Sequence, residues 1–373
     1  MADAADRLGR ITSWLALGGA LALLPGVGGA NPEPPASEDT SLHGTMAVAL
    51  ERRPPGYPLN AAERSLEGWV AVSYVVKTDG SVGDALVHDS NGVPALERAA
   101  LKAVRRWRFE PATLAGRPVE QCHTKAVVLF EVDLGGERGA RAGFKSSYKE
   151  ALAQIDDGRI DEATRLVEAL SAKQNLNLYE SSRLAILRSM LSEARGDGRT
   201  RLEQLQRAVV GGGSYLEPSI YESVLKVVFT LEAEQQRYAD ALVTFAKLEK
   251  LAGAAGVDPA LRVVADQIGA LKASDQAFAV RGEIPPSPEA SDGQGVWSYT
   301  PLRGHPGLGS LDGDLDRVEL RCDFQRRVVR NVAPGHAWTI PPDAGDCTLF
   351  VIGTPGARFE IVEHAADVER ATP

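Results

Sequence analysis

Nonpolar and polar positions along the chain change period twice before residue 135. From Gly68-Trp69-Val70-Ala71-Val72-Ser73-Tyr74-Val75-Val76 the pattern is that of a strand. Val70, Val72, Tyr74 and Val76 share one of its faces, because alternate side chains point the same way. Asp79-Gly80 then predicts a tight turn, since glycine tolerates the positive φ that a hairpin needs, and Ser81-Val82-Gly83-Asp84-Ala85-Leu86-Val87 reads as the returning strand. Beyond Pro94 the period becomes helical up to Arg108. Leu96, Ala99, Ala100, Ala103, Val104 and Trp107 fall on one face that would lie over the strands, and Pro111 ends the segment. Ala126, Val127, Val128, Leu129, Phe130, Glu131 and Val132 predict a third strand. The sum is a small ββαβ unit with an open third-strand edge.

Helical periodicity returns at residue 146 and continues to about 278. The spacing predicts helices over 147–156, 160–172, 179–194, 199–209, 218–233, 238–252 and 259–273, joined by short glycine-containing turns. Such lengths and loops imply antiparallel helical hairpins. Residues 158–170 and 236–248 each resemble the second helix of a tetratricopeptide repeat, at an irregular period, so the segment reads as a degenerate TPR-like array. Ile284-Pro285-Pro286-Ser287-Pro288 reads as a stiff linker. Short strands at 318–323, 326–332, 338–340, 347–352 and 359–362 then suggest a small antiparallel sandwich or barrel. The expected class is α+β multidomain: a linker over 31–55, the ββαβ unit over 56–134, the helical array over 145–278 and a β-rich module over 293–365.

Composition narrows the role. With 44% hydrophobic residues the chain can build packed cores, and a net charge of −9 argues against nucleic acid or an anionic membrane as the main partner. Arg7 and Arg10, the apolar run 14–24 and the small residues up to Ala30 read as a signal peptide over 1–30. The competing reading is a short membrane anchor over 11–30, for which the eleven-residue apolar core falls short of the ~20 a spanning helix needs. Export to an oxidising compartment suits the three cysteines. Cys322 and Cys347, in one β-rich segment, are the expected disulfide, and Cys122 is left as a buried thiol. There is no P-loop, dinucleotide fingerprint, nucleophile elbow or metal-ligand spacing, so no enzyme, cofactor or metal is expected.

Tyr57-Pro58, Gly68, Asp79-Gly80, Leu96-Glu97-Arg98-Ala99-Ala100, Arg106-Trp107-Arg108-Phe109-Glu110-Pro111 and Gly116-Arg117-Pro118-Val119 follow one another in an order that resembles the TonB C-terminal domain. The resemblance implies a periplasmic, non-enzymatic domain that binds a protein or peptide, such as a TonB-dependent outer-membrane receptor. Binding would proceed by strand addition at 126–132, with Arg53, Tyr57 and Pro58 lining the groove before the domain. A proline at Val128 is the expected way to break that pairing. Homodimers through open edges fit the same geometry. The alternative is an envelope assembly adaptor that holds its partner with the helical array instead.

Overall fold

The returning strand pairs as expected. In the computed structural model, which describes residues 44–132, 139–173, 175–253, 256–287 and 293–364, β3 (Gly68–Val76) and β4 (Val82–Ser90) form an antiparallel hairpin. Gly80 at its turn has φ +76°, and a Cβ there would lie 2.0 Å from the Phe109 carbonyl oxygen. Helix α2 (Pro94–Val104) follows, with proline in its first turn. It lays Leu96, Ala100 and Val104 over Val70, Val72, Tyr74 and Val76, and Trp107 closes the same core. Strand β8 (Gln121–Phe130) completes a sheet in the order β4-β3-β8.

Two short strands precede this unit. β1 (Gly44–Thr45) and β2 (Val48–Glu51) pair with β6 (Ala112–Leu114) and β5 (Arg108–Glu110), and β7 (Arg117–Val119) pairs with β6. Residues 44–51 therefore belong to the folded domain and not to the linker expected over 31–55. They are two and four residues long and are followed by Pro54-Pro55, too short for alternation to register. A one-turn helix, α1 (Leu59–Glu63), leads into β3. The expected signal peptide or anchor over 1–30, and most of the glycine linker near 135–139, lie outside the described residues. Among the described residues, no helix is long and apolar enough to cross a membrane.

Among the described residues seven helices follow: α3 (Ala142–Asp156), α4 (Ile160–Ser171), α5 (Leu178–Ala194), α6 (Gly198–Ala208), α7 (Pro218–Glu234), α8 (Tyr238–Ala252) and α9 (Pro259–Lys272). The first begins earlier than its hydrophobic pattern suggested. Its start is held from outside, because the Arg141 guanidinium and N–H both donate to Glu180 on α5. Glu180 is fully buried and also forms a capping box with Asn177. Helix α5 is buried on most of its circumference, where Ser182, Ser189 and Ser192 permit close packing. This central position explains why it carries almost no amphipathic stripe.

The carboxyl-terminal part is two antiparallel sheets, in the orders β10-β14-β12-β13 and β11-β15-β9. The strands are β9 (Phe278–Glu283), β10 (Gly295–Tyr299), β11 (Pro306–Asp312), β12 (Leu315–Cys322), β13 (Arg326–Arg330), β14 (Cys347–Gly353) and β15 (Arg358–Glu363). Strand β9 pairs with β15, so this module takes in residues from Phe278 onward and not only those after 293. Trp338-Thr339-Ile340 is not a strand. Trp338 is buried in the core and its backbone N–H donates to the Pro306 carbonyl, so it packs without joining a ladder. Cys322 and Cys347 face each other across β12 and β14 and are joined by a disulfide. One core runs through both sheets into α7, α8 and α9, from Leu349 and Ile361 to Phe229 and Leu261.

Candidate functional site

Strand β3 is buried at all nine positions, although an antiparallel sheet covered on one side would bury only every second residue. The reason is that both faces are covered. Opposite α2, Trp69 and Ala71 pack against Leu178 of α5 and Tyr215 before α7. Tyr215 also donates from its hydroxyl to Glu131 (2.7 Å), and Glu67 accepts the N–H groups of Val132 and of Leu178. The sheet, in the order β4-β3-β8, has two outer edges, and the one that carries the run expected from sequence is that of β8.

That edge is divided. At its start, Cys122 N–H donates to the Asp323 carbonyl, His123 Nε2 lies 2.9 Å from Thr348 Oγ1, and Lys125 Nζ donates to the same hydroxyl. The β-rich module thus caps the first residues of β8. The strand starts as early as Gln121 because Lys125, Thr124 and Gln121 pair with Ser73, Tyr74 and Val76 of β3, although Gln121-Cys122-His123-Thr124-Lys125 carries no apolar alternation. At the other end β8 stops at Phe130. Glu131 and Val132, expected within the strand, are held instead by Tyr215 and Glu67. The stretch of edge left uncovered runs from Ala126 to Phe130, and no other strand pairs with it among the described residues.

The register decides which groups face outward. Both the N–H and the C=O of Trp69 are engaged by Asn91, on the β4 side. Alternation then turns the backbone groups of Gly68, Val70 and Val72 toward their partners Phe130, Val128 and Ala126. The outward groups are those of Val127 and Leu129, whose side chains are 48% and 38% exposed. Val128 turns inward, so a proline there would break the bond to β3. This corrects the choice of Val128, because strand parity is set by the ladder and is not visible in the apolar run.

The residues expected before the domain lie in different places. Tyr57 stands edge-on to Phe130, with ring centroids 5.6 Å apart, and donates from its hydroxyl to the Leu66 carbonyl (2.6 Å). Burial and Glu67 push its pKa up to about 12, which keeps the hydroxyl a donor. Pro58 caps α1. Arg53 is exposed beside Glu51, and its carbonyl accepts from Trp107 Nε1. Tyr57 alone of the three borders the end of β8. Arg52, not singled out from sequence, lies 5.3 Å from the Trp107 ring and donates to the Tyr74 hydroxyl. Cys122 is buried as a free thiol, pushed up to about 11 by burial and Glu120.

Residues 53–131 match the family model described as the Gram-negative bacterial TonB protein C-terminal. The TonB protein of Pseudomonas aeruginosa is 32% identical over 93 residues, covering 25% of this chain and 27% of its own length. The tonB2 protein of the same organism is 43% identical over 63 residues, 17% of this chain and 23% of its own length. The chain thus spans about a quarter of the curated relatives it matches. In the solution structure of the Pseudomonas aeruginosa TonB C-terminal domain, the match has 26% identity and a TM-score of 0.21. It covers 28% of this chain and 97% of that one. Residues 53–131 of this chain are a TonB C-terminal domain.

Proposed function

We propose that this chain docks an extended peptide of an outer-membrane receptor by strand addition to the outer edge of β8. The step is non-enzymatic, takes place in the periplasm and serves transport across the envelope. The observation that carries this reading is the outward-facing backbone of Val127 and Leu129 on an edge with no strand partner among the described residues. Each residue offers one N–H and one C=O, and each hydrogen bond to a docked strand contributes about 1 kcal/mol. Tyr57 and Phe130 close one end of the edge, and the polar contacts of Cys122, His123 and Lys125 close the other. The docked segment is therefore short.

The test is calorimetric titration of the full chain with a peptide from the periplasmic end of such a receptor. Val127→Pro removes an outward N–H and leaves the β3 ladder intact, so binding falls by about fivefold or more while the fold is kept. Unchanged affinity in Val127→Pro refutes docking at this edge.

A further inference from the structure

A cavity of about 1180 Å³ lies between the TonB C-terminal domain, the helical array and the β-rich module. Ten arginines and lysines line it against six carboxylates, in a chain that carries 41 basic and 50 acidic residues overall. Several of the carboxylates are already engaged. Asp89 is paired with Arg207, Asp240 with Arg237, and Glu67 accepts the two N–H groups described above. Arg188 of α5 and Lys247 of α8 have no carboxylate partner among the described residues, and the charged group that acts on Arg188 is another cation, Arg207. Four lining atoms are buried without a hydrogen-bond partner: His88 Nδ1, Asp240 Oδ2 (ion-paired with Arg237), the Oε1 acceptor of Gln204, a residue only 8% exposed, and the Nε donor of Arg237. Buried polar groups in native proteins are nearly always satisfied, so such atoms around one cavity point to a ligand.

We propose that this cavity binds an acidic peptide segment of a protein partner, with carboxylates on Arg188 and Lys247. The charge balance selects an anion. The pairing of an open acceptor on Gln204 with an open donor on Arg237 selects a peptide over a simple anion, because a backbone N–H satisfies the first and a carbonyl or carboxylate the second. The cavity also exceeds the roughly 300–1,000 Å³ typical of small-molecule sites. Lys125 at the start of β8 lines this cavity, but Val127 and Leu129 do not, so Val127→Pro separates the two sites.

The experiment is titration of the full chain with a synthetic glutamate-rich peptide and with its glutamine counterpart, at low and at physiological salt. Calorimetry and tryptophan fluorescence serve as readouts, since Trp69 and Trp297 line the cavity. The acidic peptide binds and the neutral one does not, and Arg188→Glu and Lys247→Glu each weaken binding by about tenfold. Val127→Pro leaves this binding unchanged. Equal binding of the two peptides, no binding of the acidic one, or full competition by sulfate overturns the proposal. So does undiminished binding by both charge-reversed chains. The comparison of the two peptides on the unaltered protein needs no variant to fold.

Discussion

Replacing Glu232 by glutamine tests the electrostatics of the cavity wall through stability alone. Glu232 lies on α7 and is 3% exposed. Its Oε1 accepts from Gln206 Nε2 (3.0 Å) and its Oε2 from Thr244 Oγ1 (2.7 Å). Burial and the nearby Asp240 push its pKa from 4.5 up to about 7. The folded state then binds a proton that the unfolded state has released, so stability falls as pH rises between about 4.5 and 7. A displacement of that size costs the folded protein on the order of 3 kcal/mol once the group is ionised. Glutamine keeps an acceptor for Gln206, and the Thr244 hydroxyl can turn to accept from its amide. Glu232→Gln is therefore expected to match the parent protein at pH 4.5 and to exceed it by about 2–3 kcal/mol at pH 8. Urea unfolding followed by circular dichroism across that range measures the difference. A gap between the two proteins that stays constant with pH would refute the assignment.

Other residues give equally direct expectations. Gly80→Ala places a Cβ 2.0 Å from the Phe109 carbonyl at a φ of +76°, and is expected to cost at least ~1–2 kcal/mol; an unchanged urea midpoint would contradict this. Trp107 is 7% exposed, stands edge-on to Tyr74 and donates to the Arg53 carbonyl. Trp107→Ala is expected to cost about 3–5 kcal/mol, and Trp107→Phe about 1 kcal/mol for the lost donor, both read from denaturation midpoints. Reducing Cys322–Cys347 opens a crosslink between residues 25 apart and is expected to remove about 3 kcal/mol, seen as a lower Tm in reductant and absent when both cysteines are replaced by serine.

The helical array and the β3–β4 hairpin were legible because each depends on a repeating local pattern. Long helices broken by glycine turns declare themselves over ten or more residues, and Asp79-Gly80 fixes its turn locally. The Cys322–Cys347 pair was legible from spacing within one β segment. What escaped was set by distant partners. β1 and β2 exist because β6 and β5 lie beside them, β9 because β15 does, and α3 starts early because Glu180, thirty-nine residues away, holds Arg141. The candidate edge was legible as an apolar run, but its useful length was not. Glu131 and Val132 are taken by Tyr215 and Glu67, and the parity that turns Val127 outward is a property of the ladder. Neither the cavity nor its unpaired cations had any local signal, since its walls come from three separate parts of the chain.

The strand orders of the β-rich module also carry a consequence for biosynthesis. β14 and β15 are interior strands of their respective sheets, yet among the described residues they follow every other strand of the module. While the ribosome is still adding residues before Cys347, only the β12–β13 hairpin has its partner in hand. β9, β10 and β11 wait with open edges until β14 and β15 emerge. A product interrupted after Arg330 would expose three unpaired strands at once, the kind of surface on which chains aggregate. This module can therefore close only after β14 and β15 have been made.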